Sequence, residues 1–406
     1  MSVGRIDNST AQHSTAQHST AQHSTAQHST GNHCLNIPEK KILLITIYDN
    51  GNYGNILQRY ALTRIIESLG FEVHNLCYSY NNSKYNKFFR PAIMLCKKLI
   101  KKFIVFIGIK NNKLYLISRL SAFTAKYINN KIFMSYDEAL NVDKSLWDKY
   151  NFAVTGSDQV WHNWSHTPEE SAYYYLEFMP REKRVCYAPS FGFSQFPESD
   201  YELHKKGLEG FNKLSCREQE GVNLIKQIIN KDAQLVLDPT LLLNASQWQE
   251  LEKRPDINLP EHYALQFFLG DIKPEYEQAI KQAAGDLPIV NLYNYMNPDL
   301  PGYTAEVEEF LYLFNHADLI FTDSFHGTAF SVNFGRNFLV FRRSHDWTKD
   351  MFGRIESILA STNLTDHIYT PGMSTRPAEI NYNEVNEKLN ILRESSLKYL
   401  RGCLHV

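Results

Sequence analysis

The sequence has few cysteines, and they are scattered along the chain. The six cysteines form no CxxC pair, which argues against a zinc ribbon and against a disulfide scaffold. Dispersed thiols of this kind are typical of a reducing compartment, so a cytoplasmic protein is expected. The sequence also lacks any run of about 18 apolar residues, the minimum for a membrane-spanning helix. The amino terminus does not show the charged-then-apolar pattern of a secretory signal.

Ligand sets for metals and dinucleotides are missing too. There is no DxD-like pair and no cluster of His and Cys, so no bound metal is predicted. The loop 50–55 (NGNYGN) follows the first predicted strand, where a Rossmann domain grips its ligand. That loop is not a GxGxxG fingerprint, and no acidic residue stands in the usual ribose-binding place. Binding of NAD is therefore not expected, and no resident cofactor is predicted.

Acidic residues are absent from Val73 to Tyr136, where twelve Lys or Arg occur. A basic amphipathic insertion at about 84–120 is typical of a helix on an anionic membrane surface, at roughly 1 kcal/mol per basic residue. A solvated basic face on a core helix is the alternative. Nucleic acid is not an expected partner, because the rest of the chain compensates to a net charge of -2. The apolar centre of the insertion is interleaved with Lys97, Lys98, Lys101 and Lys102.

The first 38 residues contain a strict pentad repeat. STAQH occurs four times between Ser9 and Thr30. A segment without large apolar residues cannot bury enough surface to offset the entropy of ordering, so residues 1–38 are predicted to be a disordered tail. Its evenly spaced histidines could bind a metal weakly, but repeat slippage in the coding DNA explains them better.

Alternating strand and helix patterns predict two α/β halves with a cleft between them. The strand at 41–47, the loop after it and the helix ending near Leu69 form the opening βαβ of a doubly wound sheet. The predicted boundaries place an N-terminal Rossmann-like domain at 39–243, a C-terminal one at 244–380, and a closing helix at 381–406. That last helix is expected to pack back on the N-terminal domain.

The stretch 319–344 predicts a ligand site at the end of two strands. A buried strand at 319–322 is followed by a turn, a short helix beginning at His326, and a second buried strand at 338–341. Arg342 and Arg343 follow directly. Ligands bind at the carboxyl ends of parallel strands, and helix N-termini attract anions. A surface helix with an incidental histidine is the alternative.

Five motifs then occur in a recognisable order. They are GNYGNxLQxYAL, TGSDQVW, SCREQEG, LDPTLLL and TDSFHGTAFS. Together they resemble the polysaccharide pyruvyl transferase family over about residues 40–375. The resemblance implies a GT-B-like architecture, in which two Rossmann-like domains face an active cleft. It also implies transfer of the pyruvyl group of phosphoenolpyruvate to two hydroxyls of one sugar, with release of phosphate and formation of a cyclic ketal.

The resemblance gives roles to residues on both sides of the expected cleft. His326 matches the catalytic histidine of the family, and we expect it to act as a general acid; a structural histidine bound to the turn is the alternative. Phosphoenolpyruvate carries a phosphate and a carboxylate, which suit guanidinium groups. Arg217 would approach from the first half, and Arg342 or Arg343 from the second. We favour Arg342, although strand alternation does not choose between the two.

Other polar residues fill less specific roles. A carboxylate could assist the acceptor hydroxyl, with Asp158 and Asp323 as catalytic candidates and Asp238 as a substrate-binding one. Helix capping is the commoner role of Asp at such turns. Contacts to sugar or phosphate are expected from Asn52, Asn55 and Gln58. Either sugar stacking or core packing would account for Tyr53 and Trp161.

The family resemblance also suggests the partners. The acceptor would be a polysaccharide precursor, often carried on a polyprenyl lipid, and the basic insertion would suit such a substrate. We therefore expect a cytoplasmic enzyme that can associate with the inner face of the membrane. Two alternatives are a nucleotide-sugar glycosyltransferase of the same architecture and a non-catalytic lipid-glycan binding protein.

Overall fold

A computed structural model describes most of the chain after the repeat tail. The described residues are 40–49, 51–79, 113–297, 299–343, 351–372 and 377–406. The tail at 1–38 and most of the basic insertion, including its four interleaved lysines, lie outside these ranges. The predictions for those two segments therefore stay predictions.

The first sheet consists of β1 (Lys41–Ile45), β2 (Glu72–Tyr78), β3 (Lys131–Met134), β4 (Phe152–Thr155) and β5 (Arg184–Cys186). Its strands are parallel and lie in the order β3-β2-β1-β4-β5. In the central strand, Ile42 pairs with Val73 on one side and with Phe152 on the other. That strand is almost wholly apolar because both faces of a parallel sheet are covered.

The second sheet lies in the carboxyl-terminal half. Between the two sheets in sequence is a short parallel pair, β6 (Ser215–Cys216) and β7 (Gln234–Leu235). The second sheet comprises β8 (Ala264–Phe267), β9 (Ile289–Asn291), β10 (Leu319–Thr322) and β11 (Asn337–Val340). These strands are parallel, in the order β11-β10-β8-β9. The predicted strand at 319–322 is therefore present at the predicted residues.

Helices connect and cover the strands. They are α1 (Tyr53–Ser68), α2 (Lys113–Tyr127), α3 (Tyr136–Asn141), α4 (Ser145–Asp148), α5 (Pro168–Tyr174), α6 (Tyr201–Glu209), α7 (Gln219–Ile229), α8 (Pro239–Leu242), α9 (Ala245–Gln249), α10 (Pro274–Ala284), α11 (Val307–His316), α12 (Phe325–Asn333), α13 (Gly353–Thr362) and α14 (Tyr382–Leu404). Short 3-10 turns occur at Arg181–Lys183, Glu198–Asp200 and Thr365–His367. Within the described ranges, none of the helices has the length and apolar character that crossing a bilayer requires.

One hydrophobic core joins the helices of the two sheets. The ring of Trp248 in α9 lies 5.7 Å from that of Tyr60 in α1 and 5.2 Å from that of Phe330 in α12. Tyr53, the first residue of α1, stacks on Phe310 of α11 at 4.5 Å between ring centroids. These contacts fix the first sheet against the second.

The closing helix α14 contacts both halves. The hydroxyl of Tyr399 donates to the carbonyl oxygen of Cys186 in β5 at 3.1 Å. Near the middle of the helix, Arg393 donates to the carbonyl oxygen of Leu241 at 2.7 Å and to Oδ1 of Asn333 in α12 at 3.0 Å. The helix therefore ties the end of the chain to both parts of the core.

The carboxyl ends of β1, β4, β8, β9, β10 and β11 all lead into residues that line one cavity. This is the arrangement expected of two Rossmann-like sheets that face a cleft. The predicted α/β, GT-B-like fold is confirmed for the described part of the chain.

Candidate active site

The cavity between the two sheets has a volume of about 400 Å³. Its lining from the first half includes Ile47, Asp49, Asn52, Asn55, Asp158 and Gln159. The second half contributes residues that include Phe267, Leu269, Tyr295, His326, Arg343 and Arg354. A cavity with apolar walls and a few convergent polar groups is the usual form of a small-molecule site.

His326 lies in the first turn of α12, directly after β10. The hydroxyl of Ser324 caps this helix by accepting from the N–H of Gly327 at 3.3 Å. Gly54 lies against the ring, so a Cβ added there would come within 2.0 Å of His326 Nδ1. His326 Nε2 is buried without a hydrogen-bond partner among the described residues, 4.0 Å from Asp238 Oδ1. The imidazole is thus positioned by backbone on one side and faces a carboxylate on the other.

Burial lowers the pKa of His326 below its ordinary value. Asp238 and Asp158 oppose this shift, while Arg217 and Arg354 add to it. The imidazole is therefore neutral at neutral pH when no ligand is bound. An anion in the cavity would raise the pKa of His326 and favour the protonated ring, because an opposite charge stabilises the charged form.

Arg217 is fully buried beside the cavity and already has two partners. Its Nη1 donates to Asp238 Oδ2 and its Nη2 to Asp158 Oδ1, each at 2.6 Å. The guanidinium also lies 4.6 Å from the ring centroid of Phe325. Burial alone would lower the pKa of Arg217, but Asp158 and Asp238 raise it. The sequence predicted Arg217 as a substrate contact, whereas the structure places it behind the cavity wall as the centre of an ion cluster.

The two carboxylates of this cluster differ in position. Asp158 lines the cavity, whereas Asp238 lies behind it and caps α8 by accepting from the N–H of Thr240 at 3.0 Å. Burial alone would raise the pKa of both carboxyls, but Arg217 holds each pKa below its ordinary range. Both groups therefore stay ionised, and helix capping accounts for Asp238 as the alternative interpretation foresaw.

Of the paired arginines after β11, it is Arg343 that lines the cavity. Its Nε lies 3.3 Å from Asp323 Oδ2. Arg342 points elsewhere: its side chain is 49% exposed, pairs with Glu356 at 2.5 Å, and covers the ring of Phe352 at 4.1 Å. The preference for Arg342 is therefore not supported by the geometry. Strand alternation gave no guidance because β11 already ends at Val340.

Asp323 is buried and holds the loop after β8. Its carboxylate accepts from the N–H of Leu269 at 2.7 Å and of Gly270 at 2.8 Å. Burial raises the pKa of Asp323, against the opposing effect of Arg343. Asp323 therefore fixes the loop after β8 and pairs with Arg343, but it does not itself line the cavity.

Arg354 is a cavity residue that the sequence did not single out. It lies in the first turn of α13, is 8% exposed, and lines the cavity. Its Nη1 is 3.8 Å from Asp158 Oδ1, and its Nε donates to the carbonyl oxygen of Met351 at 3.2 Å. Burial lowers the pKa of Arg354 to about 10, and nearby Arg217 adds to the effect. A bound anion would relieve this unfavourable burial of positive charge.

Of the polar residues of the first motif, two line the cavity and one is buried. Asn52 lines the cavity and caps α1 by accepting from the N–H of Gly54 at 2.8 Å. Asn55 lines the cavity and is 8% exposed. Gln58 is fully buried and donates to Thr46 Oγ1 at 2.7 Å, so its role here is structural. Of these three amides, those of Asn52 and Asn55 line the cavity.

Neither aromatic candidate for sugar stacking reaches the cavity surface. Tyr53 and Trp161 are each 1% exposed and pack in the core. Core packing, the other interpretation of these residues, is thus what the structure shows. Trp164, three residues after Trp161, lines the cavity instead.

The described residues contain no group of three or more His, Cys, Asp or Glu that could hold a metal ion. Beside the carboxylates of Asp49 and Asp158, the cavity lining carries two guanidiniums and an imidazole whose protonation an anion would favour. The first turns of α1 and α12 also border the cavity. Helix N-termini favour anions, so the arrangement is suited to a small ligand with more than one negative group.

Comparison with known proteins gives a family match. The model of the family described as "Polysaccharide pyruvyl transferase" matches residues 52–345, which is more than half of the chain. No curated protein sequence matches.

Similar solved structures include a protein from Listeria monocytogenes described as a UDP-N-acetylglucosamine 2-epimerase. The two chains are 13% identical, the match covers 89% of this chain and 90% of that chain, and the TM-score is 0.49. MurG of Acinetobacter baumannii has 9% identity, coverage of 89% and 94%, and a TM-score of 0.42. The ADP-heptose heptosyltransferase II of E. coli has 14% identity, coverage of 87% and 99%, and a TM-score of 0.34. On the family match, which spans the motifs that build the cavity, this chain belongs to the polysaccharide pyruvyl transferase family.

Proposed function

We propose that the cavity binds phosphoenolpyruvate and that the enzyme transfers its pyruvyl group to two hydroxyls of one sugar as a cyclic ketal. The observation that carries this proposal is the convergence of His326, Arg343 and Arg354 on one cavity. Phosphoenolpyruvate has a phosphate and a carboxylate, and two guanidiniums from different elements suit two separated anionic groups. The amides of Asn52 and Asn55 supply further polar contacts for phosphate or sugar.

The reaction balances within the two substrates. Protonation of C3 turns the methylene carbon of phosphoenolpyruvate into a methyl group and leaves an oxocarbenium-like centre at C2. Two sugar oxygens form bonds to C2, and the bond from C2 to the phosphate oxygen breaks. Of the two hydroxyl protons released, one replaces the proton given to C3 and the other leaves with inorganic phosphate.

The residues divide this work. Protonated His326 is the proposed donor to C3, and the bound anion itself supplies the charge that favours its protonation. Arg343 and Arg354 hold the phosphate and carboxylate. Arg217, with Asp158 and Asp238, acts as a positioning group that stiffens the wall beside the imidazole.

The function is tested by supplying phosphoenolpyruvate and a galactose- or N-acetylmannosamine-type lipid-linked acceptor. Phosphate release is expected only when both substrates are present, together with a product that carries the added pyruvyl mass. Phosphoenolpyruvate should raise the melting temperature by an amount that grows with the logarithm of its concentration above Kd, and UDP-sugars should not. Protection by UDP-sugars alone would favour a nucleotide-sugar glycosyltransferase and overturn the proposal.

The paired arginines supply a matched control for the same assay. Arg343→Gln and Arg354→Gln should each raise the KM for phosphoenolpyruvate by about tenfold to a hundredfold, since a charge-assisted hydrogen bond contributes about 1.5–3 kcal/mol. Arg342→Gln removes only a surface pair worth about 0–1 kcal/mol and should leave this KM unchanged. The opposite pattern would restore Arg342 as the binding residue.

We also propose that the acceptor is a lipid-linked precursor of an exopolysaccharide or capsule, processed at the cytoplasmic face of the membrane. The basic insertion at about 84–120 supports this, because its charge suits an anionic surface. Binding to anionic vesicles should weaken in high salt and after Lys97, Lys98, Lys101 and Lys102 are replaced by Gln. If the quadruple variant sediments with vesicles as well as the unchanged protein does, the insertion is not a membrane contact.

A further inference from the structure

Trp164 is an exposed tryptophan on the wall of the cavity. Its exposed fraction is 47%, whereas Trp147, Trp161 and Trp248 are at most 2% exposed. Moving a large aromatic side chain out of water is favourable, so one that stays exposed at a cavity is a candidate ligand contact.

The indole ring of Trp164 packs against a neighbouring imidazole. The ring centroid of His162 lies 3.9 Å from that of Trp164, and His162 Nδ1 is hydrogen-bonded to the carbonyl oxygen of Phe191 at 2.8 Å. Between these residues, Asn163 has a φ of 56° and donates to Asp200 Oδ2 at 2.8 Å. The turn is therefore anchored to the protein, and the indole is presented as a fixed surface.

The other sheet contributes Met296 and Tyr295 to the same cavity, and Tyr295 is hydrogen-bonded to Asp49 of the first half. Met296 is 40% exposed and lines the cavity. Next to it in sequence, the hydroxyl of Tyr295 donates to Asp49 Oδ2 at 3.0 Å across the cleft. Asp49 also accepts from the N–H of Gly51 at 2.7 Å, so its two hydrogen-bond donors, Gly51 and Tyr295, are both neutral. Asp158, the other acidic group on this lining, is held at 2.6 Å by Arg217.

We propose that this part of the cavity is the acceptor subsite, where the C–H face of a sugar ring stacks on Trp164 and its hydroxyls hydrogen-bond to Asp49. The assignment rests on the proposed function, because it supplies the second substrate of that reaction. A sugar ring has an apolar C–H face and a polar rim, which matches an indole beside a carboxylate. Asp49 is better placed than Asp158 to accept from hydroxyls, since its partners are neutral donors.

The proposal can be tested by saturation-transfer NMR with methyl glycosides of galactose and N-acetylmannosamine, without phosphoenolpyruvate. At least one glycoside should receive saturation from the unchanged protein. Trp164→Ala should weaken its binding by about tenfold or more, the scale of a stacked aromatic contact. Trp164→Phe should retain part of the binding, and Asp49→Asn should lower it. Tyr201→Ala, which removes an aromatic side chain 38% exposed on α6, should change nothing.

Two results would overturn the subsite: no saturation of either glycoside by the unchanged protein, or full binding by Trp164→Ala. The melting temperature with and without phosphoenolpyruvate separates these failures from failure of the proposed function. Trp164→Ala should keep the full shift caused by phosphoenolpyruvate if only the acceptor subsite is altered. If the protein binds glycosides through Trp164 but its melting temperature does not change with phosphoenolpyruvate, the acceptor subsite stands and phosphoenolpyruvate is not the donor.

Discussion

Replacing His326 with Gln is expected to slow pyruvyl transfer by about 10²–10⁴-fold, the usual contribution of a general acid. Gln keeps polar atoms near the position of the imidazole but cannot donate a proton to C3. Because Arg343 and Arg354 are untouched, the shift in melting temperature caused by phosphoenolpyruvate should remain. The measurement is kcat by phosphate release, with circular dichroism to verify folding. A variant that keeps more than about a tenth of the activity would exclude His326 as the donor.

In the same variant, the affinity for phosphoenolpyruvate should no longer depend on pH through protonation of residue 326. In the free protein the pKa of His326 is lowered, and the negative charges of phosphoenolpyruvate would raise it. Binding would then take up a proton, so affinity should increase as the pH falls from about 8 toward about 6.5. Calorimetry in buffers of different ionisation enthalpy detects this uptake. His326→Gln should bind without it, while Arg342→Gln should behave like the unchanged protein.

Replacing Arg217 with Met is expected to lower the free energy of unfolding by about 3–5 kcal/mol, because removing one member of a buried ion cluster leaves uncompensated charge. Asp158 and Asp238 would both lose a partner at 2.6 Å. Urea unfolding measures the change. The free energy of unfolding of Arg217→Lys should lie between that of Arg217→Met and that of the unchanged protein. An ammonium keeps the charge but cannot bridge two carboxylates as a guanidinium does.

A triple variant provides the control for Arg217. Adding Asp158→Asn and Asp238→Asn to Arg217→Met removes the stranded charges and should recover part of the lost stability. If Arg217→Met is as stable as the unchanged protein but raises the KM for phosphoenolpyruvate, Arg217 reaches the substrate as the sequence suggested, and the structural role assigned to it is wrong.

Much of the frame of the site could be predicted from local patterns. The apolar run at 319–322, the turn after it and the start of a helix near His326 are all set by neighbours in sequence, and each is present in the structure. The small-residue loop was predicted at 50–55, but α1 already begins at Tyr53, inside the predicted loop, and Asn52 caps it. Residues at the junctions of strands and helices were predictable because their positions follow from short-range rules.

The positions of the arginines depended on contacts that are distant in sequence. Arg217 meets Asp158 across 59 positions of the chain and Asp238 across 21. No local pattern reports such a meeting. Arg354 could have been suspected, since it lies in helical phase with buried Ile358 in a mostly apolar stripe, where a charged residue needs a partner or a ligand.

The close approach of Gly54 to His326 has a consequence for proton binding. Gly54 belongs to the first half and His326 to the second, so the dry surroundings of the imidazole exist only while the halves are together. Parting them would let water reach the ring and return its proton affinity toward that of free histidine. An acidic medium would therefore favour any arrangement of the unliganded enzyme in which water reaches the ring, because such an arrangement binds a proton more tightly.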